Sequence, residues 1–311
     1  MSTSVPEPGI LLGDRYRLED RHLAGSGWAA WKATDQTLHR AVTVLTFSRG
    51  CPRISDTMTA ARAAGRLTDA RLARVYDLAA DQDHPYLVTE WAGGDSLDDL
   101  LAGGPLDPLH AAEIIAQGAG ALASAHAAGL AHLCLNPGSL RWTAAGLKIV
   151  GLGTDAALAG VTAEDAAATD TQALARLLYG AMTARWPGGT WPSLPAAPQA
   201  RGRSYRPRQV RAGVPTALDE VCCRALFAGG RGRRLPPVST PAQLAAALAL
   251  ASPAPVATWG HSTATADRGG YPPTAPPPPG HHRSAGGARP ALAARLLASI
   301  TAGVAVRGGP G

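Results

Sequence analysis

The sequence predicts an α+β chain of two lobes. Three observations carry that prediction. Short alternating or β-branched runs dominate up to about Trp91, Ala- and Leu-rich runs with helical spacing follow, and from residue 252 the chain turns Pro- and Gly-rich.

Residues 1–13, with MSTSVPEPG at their start, read as a short disordered lead. RYRLEDRHLA, GWAAWKATD and HRAVTVLTF then read as strands, and SDTMTAARAAGRL as an Ala-rich helix. ARVYDLAAD and PYLVTEWA add two strands, with DQDHP as the turn between them. SLDDLLAGG is a short helix that Ser96 opens as N-cap and glycines close. PLHAAEIIAQGAGALASAHAAG is a long helix, LKIV a short strand, and TDTQALARLLYGAMTA a helix with Thr169 as the expected cap. PTALDEVCCRALF and STPAQLAAALALA complete the helical part. Residues 252–290 cannot build a core and prefer extended conformations. Residues 291–306, ALAARLLASITAGVAV, are mostly apolar but shorter than the roughly 20 residues a membrane span needs. They read as a loose helix or a truncated membrane anchor.

The 311 residues are 46% hydrophobic, enough to bury a sizeable core, with only two Phe among them. The net charge is +6, and the tail from residue 252 supplies five Arg against one Asp. Such a tail suits a membrane surface, an acidic partner or simply a solvated linker. No basic stripe carries interleaved aromatics, which excludes a nucleic-acid footprint. The four cysteines, Cys51, Cys134, Cys222 and Cys223, form no C-x-x-C pair and read as buried thiols in a reducing compartment. The N-terminus has neither a charged nor an apolar leader, so a cytoplasmic start is expected.

The order of pieces from residue 14 to about 250 resembles a bacterial Ser/Thr protein kinase domain. The residues that carry the resemblance are a glycine-bearing turn, TEW at a strand end, AHAAGLAHLCLNPGS, LKIVGLG and DTQALARLLYGAMTARWP. It implies a two-lobed fold, with a β-rich N-lobe over residues 14–92 and a helical C-lobe over 93–251. It also implies a role for each matching position. Counted back from Trp31-Lys32, the glycine positions of the nucleotide loop fall at Leu23, Gly25 and the bulky Trp28; a shifted frame gives Gly25 and Gly27 but breaks the spacing, and the stretch reads more simply as a hairpin turn. The phosphate-pairing lysine is replaced by Leu45 and its glutamate partner by Ala60. Their joint loss is consistent, because either charge left alone in a buried site is costly. In the catalytic loop Leu133 replaces the arginine, Cys134 the base aspartate, Asn136 the lysine and Ser139 the metal-binding asparagine. Gly151 replaces the magnesium aspartate, leaving no hard oxygen pair for the metal. The segment between Gly153 and Asp170 is short and lacks an A-P-E triplet. His132, Leu152 and Asp170 match framework positions, and Glu90, Trp91 and Ala92 match the hinge whose backbone meets adenine. Arg231, Arg233 and Arg234 fall near the late-helix arginine of such kinases.

AHLCLNPGSL, IVGLG and DTQALARLLYGAMTARWPGG, followed by a Pro-rich linker and an apolar segment, are similar to a narrower group. These are the actinobacterial pseudokinases associated with the MurJ/MviN lipid II flippase. That resemblance implies a catalytically inactive, protein-binding regulatory scaffold that restrains peptidoglycan synthesis. The implied partners are a forkhead-associated (FHA) protein, recruited after phosphorylation of a threonine, and the flippase itself. Thr258, Thr263, Thr265 and Thr274 in the linker are the candidate phosphosites. The implied location is cytoplasmic, at the inner face of the membrane if residues 291–306 anchor the chain. No cofactor is expected on this reading. On the alternative reading Gly25, Gly27 and the hinge still hold ATP, and the chain is a nucleotide sensor or weak kinase. A second motif, ARGRSYRPRQVRAG, carries Arg201, Arg203, Arg206, Arg208 and Arg211, and reads as a docking patch for an acidic or phosphorylated partner or as a solvated loop.

Overall fold

A computed structural model describes residues 6–80, 84–227 and 235–252. The linker beyond residue 252, the apolar segment 291–306, Thr258, Thr263, Thr265, Thr274, Arg231, Arg233 and Arg234 lie outside the described residues.

The first lobe is built on β1 (Leu11–Leu12), β2 (Tyr16–Gly25), β3 (Trp28–Asp35), β4 (Arg40–Phe47), β5 (Val75–Ala79) and β6 (Tyr86–Glu90), with helix α1 (Ile54–Ala64) between β4 and β5. The strands form one antiparallel sheet in the order β1-β2-β3-β4-β6-β5. Alternation along β4 sorts its side chains between two faces. Val42 and Val44 join Tyr16, Leu18, Trp31 and Val88 on one side. Leu45 and Phe47 meet Met58 and Ala61 of α1 on the other. Met58 and Ala61 are three residues apart on α1, so a single stripe of that helix lies against the sheet.

The second lobe opens with β7 (Asp95–Ser96) and α2 (Leu97–Leu101), followed by α3 (Pro108–Ala127). Ser96 caps α2 in a reciprocal box with Asp99, as its position before the apolar run predicts. β8 (Leu140–Thr143) and β9 (Gly146–Ile149) pair in a small sheet with β7. Next come α4 (Thr154–Ala159), α5 (Ala166–Thr183), the hairpin β10 (Gln199–Ala200) and β11 (Arg203–Ser204), α6 (Pro207–Val210), α7 (Thr216–Leu226) and α8 (Pro241–Ala251). α3 is buried nearly all round and shares one core with α5, α7 and α8 through Leu122, Leu174, Leu178, Leu218 and Leu244. Its small residues permit this: a methyl group on Gly118 would already touch Leu147 and Leu174. The lobes are joined at Ile149, whose amide donates to Arg71 O at 2.7 Å and whose carbonyl accepts from Ala73 N at 2.9 Å.

Two local expectations differ from the structure. The lead expected over residues 1–13 is tied to the sheet from residue 9. Gly9 N donates to Leu18 O, Leu18 N donates to Ile10 O, and Leu12 is buried. Edge pairing and one buried leucine outweigh the weak propensity of a Pro- and Gly-containing segment. Helix α5 starts before Thr169, because the Asp165 carboxylate accepts from Ala168 N at 2.9 Å and so caps it a turn earlier. Thr169 then donates its hydroxyl back to Asp165 O. All four cysteines are buried. Among the described residues no helix is long and apolar enough to cross a membrane.

Candidate functional site

The cleft between the lobes gathers most of the residues singled out by motif. Its roof begins at the β2–β3 turn, where Gly25 pairs with Trp28 and Ser26-Gly27 form a tight two-residue hairpin. Gly27 has φ +80° and its carbonyl accepts from Ser48 N at 2.8 Å, which pins the turn to the end of β4. The Trp28 indole lies so close over Gly25 that a Cβ there would overlap it. Both glycines therefore serve the turn and its tryptophan. Leu45, opposite Ala30 on β3 and Leu87 on β6, packs with Trp28 into the apolar cluster of Phe47, Met58 and Leu87.

The floor is the loop between α3 and β8. Asp170 on α5 is fully buried and accepts from His132 N at 2.8 Å and Leu133 N at 2.7 Å, and its Oδ2 lies 2.8 Å from His126 Nε2. These bonds hold Leu133 at φ +59°, a conformation costly for a branched side chain without such support. His132 is fully buried, with Nε2 2.9 Å from Val150 O, and Nδ1 is buried without a hydrogen-bond partner. The neighbouring Cys134 thiol is buried, and its pKa is pushed up to about 12 by that burial, with the charges of Asp155 and Asp170 adding to the shift. It is thus a neutral, inert thiol at physiological pH. Asn136 accepts from Gly138 N and donates to Cys134 O, while the Ser139 hydroxyl accepts from Asn136 N. Both polar side chains are spent on the shape of their own loop.

The back wall is the segment after β9. Gly151 has φ +81°, and a Cβ on it would overlap the Asp155 carboxylate. Asp155 belongs to the first turn of α4. It keeps part of its surface open to solvent. The packing around its carboxyl is nevertheless dense enough to raise the pKa to about 6, against a smaller opposing effect of His132. Leu152 points into the second-lobe core. Gly153 abuts Ala60 of α1, so that a Cβ there would stand 3.7 Å from Ala60 Cβ. Leu158 of α4 inserts into the cluster that holds Leu45, Met58 and Trp28. The space where the resemblance places the nucleotide phosphates is therefore lined by Trp28, Leu45, Met58 and Leu158. Asp155 and Leu158 were not among the residues read from the sequence. The only hint was a short helical run, TDAALA, directly after Gly153.

The hinge strand is engaged as well. Glu90 pairs with Lys148 of β9 at 2.7 Å and accepts from Arg74 N. The Trp91 ring sits 5.3 Å from the His22 ring and 5.9 Å from Lys32 Nζ, and Ala92 is buried. Arg141 of β8 donates to Gly94 O at 2.7 Å, and burial followed by the charge of Arg141 lowers the pKa of His22. Roof and floor beside the hinge strand thus present a histidine and an arginine.

The donors present do not fit a magnesium pair. Asn136 and Ser139 are engaged, Asp155 is a single carboxylate, and among the described residues no group of three or more His, Cys, Asp or Glu could hold a metal ion.

No family model matches the chain. Among curated relatives it is similar to the serine/threonine-protein kinase PknA of Mycobacterium tuberculosis, 33% identical over 159 residues that cover 48% of this chain and 37% of that protein. It is also similar to the serine/threonine-protein kinase PknL of the same species, 31% identical over 140 residues covering 43% of this chain and 35% of the relative. The matched stretch is little more than a third of the length of these relatives. Among solved structures, the kinase domain of Mycobacterium tuberculosis PknI superposes with a TM-score of 0.59 at 16% identity, covering 80% of this chain and 100% of that one. The fold is that of a two-lobed protein kinase.

Proposed function

We propose that this protein-kinase-like domain is a pseudokinase, a protein-binding regulatory scaffold that carries out no phosphotransfer. One observation carries the reading: the region that the resemblance gives to the phosphates is walled by apolar side chains, where phosphotransfer needs cations and hard oxygen ligands. Trp28, Leu45, Met58 and Leu158 share one apolar cluster there, and Asp155 occupies the space of a side chain on residue 151. The substitutions at Leu45, Ala60, Leu133, Cys134, Asn136, Ser139 and Gly151 support it. A thiol with a pKa of about 12 is a poor stand-in for a carboxylate base.

The finer reading places the scaffold in control of peptidoglycan synthesis at the inner face of the membrane. Its partners there are an FHA protein, docked on a phosphorylated linker threonine, and the lipid II flippase. Similarity of AHLCLNPGSL, IVGLG and the helix that follows to that group of pseudokinases supports it. The competing reading, a nucleotide sensor or weak kinase, draws on Asp155 as one hard oxygen ligand in the cleft and on Gly25, Gly27 and the hinge residues Glu90, Trp91 and Ala92.

The test is incubation of the full chain with γ-labelled ATP and magnesium or manganese, with generic protein acceptors and with itself. No incorporation above a heat-killed control is expected. Metal-dependent labelling that is lost on heating would overturn the proposal.

A further inference from the structure

The arginine-rich stretch 201–211 splits into two sets. Arg211 is internal: its guanidinium donates to Leu106 O and Met182 O and ties α6 to the second-lobe core. Arg206 pairs with the buried Asp219 of α7 at 2.7 Å, and the backbone amide of Arg208 donates to the same carboxylate. Arg201, Arg203 and the guanidinium of Arg208 are exposed, and among the described residues none of them pairs with a carboxylate. Arg201 sits at the tip of the β10–β11 hairpin and Arg203 on its second strand. Tyr205, 41% exposed, lies between them and α6. The loop carrying the exposed Arg185 reaches the same hairpin, because Gly188 N donates to Ser204 Oγ. The neighbouring helix α7 carries two adjacent carboxylates. Asp219 is consumed by Arg206, and Glu220 is exposed one residue further along α7.

From this we infer that Arg201, Arg203 and Arg208, with Tyr205 between them, form a docking surface for an acidic, phosphorylated segment of a partner protein. Three forked guanidinium groups without carboxylate partners match a phosphate or carboxylate bidentately. An exposed tyrosine among them adds a rigid contact at low entropic cost. The chain's own tail is a poor occupant, because it carries five Arg against one Asp. The surface deepens the scaffold reading by naming the chemistry of a partner, and it lies outside the cleft. A failed phosphotransfer prediction and a failed docking prediction are therefore separate results.

The experiment uses the full chain and a fluorescein-labelled twelve-residue peptide with one phosphothreonine among aspartates and glutamates. The same peptide with plain threonine and anionic phosphatidylglycerol vesicles are the comparisons. Fluorescence anisotropy should show the phosphopeptide binding at least tenfold more tightly than its unphosphorylated form, with affinity falling as salt rises. R201A/R203A/R208A should weaken it tenfold or more at an unchanged melting temperature. Arg62→Ala with Arg66→Ala, distant exposed arginines, should change it less than twofold. R201K/R203K/R208K keeps the charge and removes the forks, and should lose most of the preference for phosphate. Should a triple variant fail to fold, the single charge reversal R203E serves the same purpose. Equal binding by the alanine variant, no binding of either peptide, or binding to vesicles alone would overturn the inference.

Discussion

The carboxylate of Asp155 stands where a side chain on Gly151 would have to go. The sequence resemblance gives residue 151 the place of a kinase's magnesium aspartate, and here a carboxylate reaches the space of its side chain from one turn further along the chain. It arrives on α4, whose Leu158 closes the cluster under the β2–β3 turn. Putting the aspartate back at 151 therefore means removing what already fills its place.

Gly151→Asp alone should destabilise the fold by about 2–4 kcal/mol. Left-handed backbone costs roughly 1–2 kcal/mol for a non-glycine residue, and two carboxylates would share one site. Gly151→Asp with Asp155→Ala should recover part of that loss. Chemical denaturation midpoints of the three proteins check this, with equal slopes confirming that the unfolding transition is the same.

Asp155 also makes the fold pH-dependent. Its pKa is raised from about 4 in the unfolded chain to about 6 in the native state, chiefly by burial. The native state therefore binds the proton more tightly. The associated stability is fully present below about pH 4, is lost as pH rises through about 6, and stays lost above that. His132 and Cys134 are the titratable neighbours, and the Cys134 thiol stays neutral throughout this range. Asp155→Asn, which imitates the protonated acid, should melt several degrees above the wild type at pH 7.5 and about equally at pH 4. Melting curves across that range would show it, and parallel curves would refute it.

Asp170 holds two backbone amides and the His126 ring in a fully buried place. Asp170→Ala should cost about 3–5 kcal/mol, because the amides of His132 and Leu133 lose their acceptor and Leu133 loses support for its left-handed backbone. Asp170→Asn keeps one acceptor oxygen and should cost less than half as much. Urea midpoints of both variants measure the difference.

Leu45→Lys should not restore chemistry. An amine placed among Phe47, Met58 and Leu87, with Ala60 offering no carboxylate, should cost about 1–3 kcal/mol. Adding Ala60→Glu should not rescue it, because Ala60 abuts Gly153 and the glutamate would meet the start of α4. Stability and phosphotransfer measured on both single variants and the double variant form the cycle that tests this.

The strands, the α1 position and the long α3 were legible because alternation, Ala-rich spacing and the Ser96 cap all act locally. Gly27 and Trp28 were legible for the same reason: a two-residue turn with a bulky neighbour is a local object. Asp155 was not, because its meaning depends on a glycine four residues back adopting positive φ and leaving room. Leu158 was not, because a leucine in a six-residue helix carries no sign of which lobe it will touch. The arginines of 201–211 look alike in the sequence. Only tertiary placement, with Asp219 under Arg206 and two carbonyls around Arg211, separates struts from free cations.

The most direct test of the apolar-cleft reading is a thermal melt of the full chain with and without millimolar ATP and magnesium or manganese. A ligand that binds only the folded state at 100 times its Kd adds about 2.7 kcal/mol, which is several degrees of Tm. The cluster of Trp28, Leu45, Met58 and Leu158, with Asp155 behind it, predicts no shift with any of these additions. A cation-dependent rise of several degrees would contradict the account and put a nucleotide in the cleft.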